Sequence, residues 1–275
     1  MPQVARFSIA PVRSLALQHP DEIDLTEVGV VEDRRFFLVD DTDRLIDRTV
    51  IGELVQIAAE TDQGATRLRL AFPDGTVIDE PVELGGPVDV PIYDRRSVGH
   101  VVEGPWATAL SAFTDRAIRL IRCAGPAGTR MGNPTSLITD GSLRELARHA
   151  GVDGVDGRRF RMLMELSGGA PHEEDTWVDR RIAVGDAILR VTKPVARCAI
   201  TTQDPDTGIR DLDTLRTIIA YRGTRDGKDG KKVDFGVLAD VLQPGRVRLG
   251  DQVTVLDAVP ANAAANAPVD APATT

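Results

Sequence analysis

Cysteine is nearly missing from this chain: there are two among 275 residues, Cys123 and Cys198, far apart and neither in a CxxC pair. That excludes a disulfide framework, a thiolate zinc site and an iron–sulfur cluster held by four cysteines. Aromatics are equally scarce at 4%, so any core must be built from Val, Leu, Ile and Ala, and little is left for stacking bases. Positive charge is in the minority. Lys and Arg number 33 against 42 Asp and Glu, a formal net charge of -9, which should repel nucleic acid and anionic lipid alike. Apolar runs stay short of the roughly 20 residues that cross a bilayer, and MPQVARFSIAPVRS does not read as a secretory signal. The expectation is a cytoplasmic protein with no membrane and no nucleic-acid partner. GxSxG, Walker A and dinucleotide fingerprints are also absent, which removes serine hydrolases, nucleotide hydrolases and Rossmann dehydrogenases.

What is present is mostly strand pattern. Val4 to Ile9, Arg35 to Val39, Leu54 to Ala59, Thr66 to Leu70 and Val88 to Ile92 carry β-branched or aromatic residues between turn signals such as Pro73-Asp74-Gly75. Helical spacing begins at Trp106 with Leu110 and Phe113. A second helix should be capped by Ser142 with Glu145 as its capping-box partner, and a third runs over Thr214 to Tyr221. Further strands are expected at Phe160 to Leu166, Ala187 to Thr192, Ala199 to Thr202, Phe235 to Val241 and Gln252 to Leu256. The Gly-rich stretch Gly223 to Lys232 reads as a mobile surface loop. From Ala258 onward an Ala/Pro-rich tail has no apolar periodicity and should be disordered. The fold class is α+β, mostly β, with two β-rich domains closing over a cleft.

Cys198 is the first candidate for chemistry. Arg197 beside it and Lys193 nearby favour the thiolate, the form that ligates soft metal centres or attacks electrophiles. On local context alone an isolated cysteine is more often a small buried hydrophobe, the reading preferred for Cys198 and, more strongly, for Cys123. Arg13, Arg34, Arg161 and Arg197 lie near strand–loop boundaries, and Ser14 sits beside the first. A guanidinium is a rigid fork suited to phosphate, although for any one of these taken alone a surface salt bridge is the preferred reading, and only convergence in space would raise it. His172-Glu173-Glu174-Asp175 lacks the HExxH spacing and reads as an acidic turn before Trp177. Asp204 to Gly208 lacks the full EF-hand pattern and reads as a tight turn.

Together these pieces resemble the MOSC family, named for the C-terminal domain of molybdenum cofactor sulfurase. Residues 6–48 resemble its N-terminal β-barrel pattern through PVRS at 11–14, Gly29, Asp33-Arg34 and Asp47-Arg48. Residues 160–256 resemble the MOSC domain through Phe160-Arg161, Glu174-Asp175 with Trp177, Val184-Gly185-Asp186, Arg197-Cys198, Asp204 to Gly208, Phe235-Gly236 and Gly250-Asp251. Asn133 to Ile138 resembles the segment that opens it. The implied domains are an N-terminal MOSC-N domain over 1–95, a MOSC-type β-barrel domain over 96–257 and the tail over 258–275.

The resemblance implies a molybdenum cofactor of the molybdopterin type. Cys198 would be the metal's thiolate ligand and the catalytic residue, with Arg13, Ser14, Arg34, Asn133, Arg161 and Arg197 binding the cofactor. Such proteins reduce N-hydroxylated and N-oxide small molecules. With two cysteines there is no cluster to supply electrons, so a separate electron-donor protein is implied. The chain departs from the family's usual Arg-Pro-Asn at Arg161-Met162-Leu163, and from PVKS at PVRS. A carrier of pterin cofactor or of sulfur as a Cys198 persulfide is the alternative, and a cofactor-free interaction domain a third reading.

Overall fold

The computed structural model describes residues 1–258 apart from 94, 131 and 132. Of the expected tail, all but Ala258 lies outside the described residues. The protein is mostly β, with three α-helices: α1 (Trp106–Thr114), α2 (Asp140–Ala150) and α3 (Thr214–Arg222).

Seven strands make the larger sheet, in the spatial order Gln3–Phe7, Met164–Ser167, Thr135–Thr139, Asp234–Gln243, Ala187–Ala196, Arg180–Val184 and Val253–Ala258. Its outer strands meet again. Val4 donates to Asp251 O at 2.9 Å, Gly250 to Val4 O at 2.8 Å and Val253 to Pro2 O at 2.8 Å, so the sheet curls back on itself. Curling turns alternate side chains inward, as period-two geometry requires. Phe7, Leu137, Met164, Ile182, Leu189, Val191, Val237 and Val253 fill the interior.

The second sheet runs Leu45–Ile46, Phe36–Val39, Arg119–Cys123, Arg95–Glu103 and Glu83–Ile92. Phe36–Val39 is buried at every position. Phe36 and Leu38 pack with Trp106 and Leu110 of α1 on one face; Phe37 and Val39 pack with Ile121 and Cys123 on the other. Each such side chain contributes about 1.5–3 kcal/mol by leaving water. The chain does not separate cleanly between the sheets. Gln3–Phe7 belongs to the first, while Arg95–Glu103 and Arg119–Cys123 belong to the second, so residue 95 opens a strand that pairs on both sides within the N-terminal sheet.

Local structure departs from expectation at four places. Leu54 and Val55 lie in a 3-10 turn (Gly52–Gln56), and the strand begins only at Ala58. Phe160 ends a 3-10 turn (Gly157–Phe160), and its strand is confined to Met164–Ser167. Ala199–Thr202 is a 3-10 turn, because Thr201 donates both its amide and its hydroxyl to Cys198 O, at 3.2 and 3.1 Å. Gly223 to Lys232 carries a short hairpin, Arg225–Gly227 with Gly230–Lys232, held by the Arg225–Asp234 pair at 2.6 Å. The α2 cap also moves. Thr139 accepts from Ser142 N at 3.3 Å, while the Ser142 hydroxyl is buried and donates to Glu174 Oε1 at 2.7 Å. Glu174 is the buried member of the acidic turn. Burial raises its carboxyl, while the hydroxyls of Thr139 and Ser142 pull the other way.

Candidate functional site

A cleft opens where the ends of the two sheets meet, with a cavity of about 210 Å³. Four stretches line it: Arg13, Asp33 and Arg34; Arg130 and Asn133 to Ser136; Arg159 to Leu163; and Val195 to Cys198 with Ile200 and Thr201. Six of the seven residues expected from sequence stand on this one wall. Ser14 is the exception; it is buried beside Arg13 and does not line the cavity.

Backbone geometry aims these side chains. Residues 10–13 run alongside the start of the Phe36–Val39 strand, with Arg34 N to Ala10 O at 2.7 Å, Phe36 N to Pro11 O at 3.0 Å and Arg13 N to Phe36 O at 2.7 Å. The Asp33 carboxylate, 2% exposed, takes the Ala10 amide at 2.8 Å and the Arg34 guanidinium, and so locks both turns. Ser14, Arg34 and Arg161 have φ of 76°, 57° and 51°, left-handed values that non-glycine residues adopt at a cost. Arg161 is the residue that ends the Gly157–Phe160 turn, which throws its side chain back toward Leu15 O at 2.8 Å.

The arginines fall into two groups. Arg130 is wholly engaged: its two terminal nitrogens donate to the carbonyls of Val30, Asp33, Val28 and Pro126, tying 28–33 to 126–130. Arg197 is engaged as well, through Nε to Phe235 O at 2.6 Å, Nη1 to Phe160 O at 3.1 Å and Nη2 to Met162 Sδ at 2.8 Å. It stitches the cleft wall together. Burial pulls it down to about 9, so it is still charged at neutral pH. Asn133 is held by Asp240, which also pairs with Arg190 at 2.7 Å. Arg13, Arg34 and Arg161 keep free donors. Arg13 uses Nη1 on Thr129 O at 2.7 Å and Nη2 on the Tyr93 hydroxyl at 3.4 Å, Arg34 uses its terminal nitrogens on Asp33 and on Arg161 O, and Arg161 uses only Nη2. Burial, then the charges of Arg48 and Arg34, push Arg161 well below its ordinary value, so a bound anion would be strongly favoured there.

Cys198 ends the Ala187–Ala196 arm and is exposed at the cleft. The loop after it is clamped from the other sheet. Gln203 donates to Arg48 O at 2.7 Å, Gln56 to Thr207 O at 3.2 Å, and Gly208, with φ of 77°, lies so close to Gly52 that a side chain would meet its carbonyl at 2.0 Å. Sequence reasoning passed over Arg130 and Arg159, and met Arg48 only as part of a pattern. The doubled Arg158-Arg159 was the available signal.

Among the described residues no three His, Cys, Asp or Glu gather to hold a metal, so a metal here must bring most of its ligands with it. Around the exposed thiol stand six arginines against one carboxylate, Asp33, on a chain whose overall charge is -9. Residues 125–254 match the MOSC domain family. That match covers just under half of the chain.

Relatives place the match in context. Mitochondrial amidoxime-reducing component 1 of Mus musculus is 23% identical over 92% of this chain and 82% of its own. Mitochondrial amidoxime reducing component 2 of Rattus norvegicus is 26% identical over 91% and 82%. Molybdenum cofactor sulfurase of Caenorhabditis briggsae is 26% identical over 86% of this chain but only 33% of its own length. Among solved structures, the YuaD protein of Bacillus subtilis aligns over 93% of this chain at 14% identity with a TM-score of 0.45. No helix among the described residues is long and apolar enough to cross a membrane.

Proposed function

We propose that the cleft binds a molybdenum cofactor of the molybdopterin type, with Cys198 as its thiolate ligand, and that the protein reduces N-hydroxylated or N-oxide small molecules with electrons from a separate donor protein. The observation that carries this reading is the single exposed thiol set among six arginines in one cleft. The donor set fits the group. A soft thiolate suits the metal, and the unengaged nitrogens of Arg13, Arg34 and Arg161 suit a phosphate-bearing pterin. The 210 Å³ cavity is smaller than the roughly 300 Å³ at which small-molecule sites usually begin, so an extended ligand fills it in part and continues into the cleft mouth.

When bound, the cofactor supplies two-electron oxygen-transfer chemistry. The chain's own part is binding and orientation. Arg13, Arg34 and Arg161 hold the anionic arm, and Asp33 fixes the turns that present them. Arg197 sets the wall behind Cys198, with its nitrogens on Phe235, Phe160 and Met162, and Ser14 and Asn133 support this frame. Met162 and Leu163, buried at 4% and 5%, make one wall apolar where the family commonly has an amide, which favours a carrier as the second reading. The test is turnover: molybdenum-loaded protein with a chemical reductant should convert a benzamidoxime to the amidine, and Cys198→Ala should not. Loaded protein that reduces no N-oxygenated compound, yet shows a persulfide mass on Cys198, would establish the carrier instead.

A further inference from the structure

A hairpin of the second sheet ends against a residue of the cleft. Its strands are Glu83–Ile92 and Arg95–Glu103, and Ile92 pairs with Arg95, so two residues connect them. Connections that short need positive φ, which Asn, Asp and Gly accept most readily. Tyr93 stands at the first of the two positions with φ of 56°, and it is 54% exposed. A bulky side chain is strained on such backbone, and an exposed ring recovers little of that strain by packing.

The side chain is engaged toward the cleft instead. Its hydroxyl donates to Asp47 Oδ2 at 2.6 Å and accepts from Arg13 Nη2 at 3.4 Å, and the guanidinium carbon of Arg13 stands 5.4 Å from the ring centre. Asp47 is itself buried and anchored, since it also takes the Thr49 amide at 2.8 Å. Arg13 Nη1 donates to Thr129 O at 2.7 Å. Arg13 lines the cavity, and Tyr93 stands one residue behind it.

Among the described residues, the side-chain partners of Arg13 are therefore neutral: a phenol and a carbonyl. A carboxylate would also fix the fork, but it would cancel the charge, as Asp33 does for Arg34. An aromatic face and a hydroxyl orient a guanidinium and leave its charge available to a ligand. Tyr93 keeps its own proton in this role, because desolvation first and the bond to Asp47 second push its phenol above the ordinary value.

We infer that Tyr93 is a positioning residue: its ring and hydroxyl, braced by Asp47, hold the Arg13 fork toward an oxyanion in the cleft. Equating that oxyanion with the anionic arm of the cofactor rests on the function proposed above; the clamp on Arg13 does not.

A double-mutant cycle separates positioning from simple support of the hairpin. The full chain, made in a host that produces no molybdenum cofactor, is titrated with inorganic pyrophosphate by calorimetry at low ionic strength. Tyr93→Asn supplies a residue suited to the positive φ, so the hairpin is kept while the ring is lost. It should weaken pyrophosphate binding about threefold to tenfold. Arg13→Lys keeps the charge but not the planar fork that lies over the ring. In that background Tyr93→Asn should change the affinity by less than about twofold. An equal loss in both backgrounds would reduce Tyr93 to a support for the hairpin and overturn the inference. Unchanged binding in Tyr93→Asn, or no pyrophosphate binding by the unsubstituted chain, would overturn it as well. Molybdenum content is a separate readout: a chain that shows the coupling but retains no metal, when made in a host that produces the cofactor, would sink the proposed function and leave the clamp standing.

Discussion

The two cysteines occupy opposite surroundings. Cys123 closes the Arg119–Cys123 strand inside the second sheet, 3% exposed among Phe37, Val39, Val90, Ile92 and Ile121, with Ser97 Oγ at 3.9 Å from its sulfur. Burial pushes its thiol up, more than the nearby Arg35 charge draws it down. Cys198 stands at the end of a strand, exposed, in a cleft whose charged walls are nearly all arginine. One residue type thus serves as packing in one sheet and as a candidate ligand beside the other. What separates them is the identity of the neighbours: apolar side chains remove water from the first, and guanidinium groups surround the second without covering it.

That contrast can be broken by reactivity. In the metal-free chain, a neutral alkylating reagent should modify Cys198 at least about a hundredfold faster than Cys123, which is reached only when the sheet opens. Comparable rates would mean that the second sheet does not protect its interior. Stability should divide the other way. Cys123→Ser places a hydroxyl among apolar side chains and should cost about 1–3 kcal/mol, while Cys198→Ser should stay within about 0.5 kcal/mol; urea unfolding of both variants checks this. The smallest effect concerns pH. A thiol whose folded value is raised adds stability that is full below its unfolded value near 9.0 and is lost as pH rises toward the folded one. The advantage of the unsubstituted chain over Cys123→Ala should therefore shrink above about pH 9, and a difference that stays constant to pH 10.5 would contradict the burial of that thiol.

Where local chemistry decides structure, the sequence was legible. Trp106, Leu110 and Phe113 at helical spacing do form α1, and the period-two strands are strands. The misread segment after Cys198 has a local cause. Ile200, Thr201 and Thr202 are β-branched and look like strand, but Thr201 folds back on the Cys198 carbonyl, and that competition between side chain and backbone is invisible in a propensity. The capping signal was read three residues late because Ser142 has a tertiary partner, Glu174, that pattern cannot supply. For the site, the arginine positions came from motif, and the structure brings Arg13, Arg34, Arg161 and Arg197 to one cleft. Which of their nitrogens are free was not legible, because Arg197 is engaged by carbonyls from two other segments. Arg130 and Arg159 were passed over for the same reason: they are fixed by carbonyls and a carboxylate from distant segments, and such pairing is a tertiary property.

The central claim is that Cys198 holds molybdenum in this cleft. Protein produced in a host that makes the cofactor should be measured for molybdenum by elemental mass spectrometry, alongside Cys198→Ala and Cys123→Ala. The account predicts near-stoichiometric metal in the unsubstituted protein and in Cys123→Ala, and none in Cys198→Ala. Molybdenum retained by Cys198→Ala, or absent from the unsubstituted protein, would contradict it.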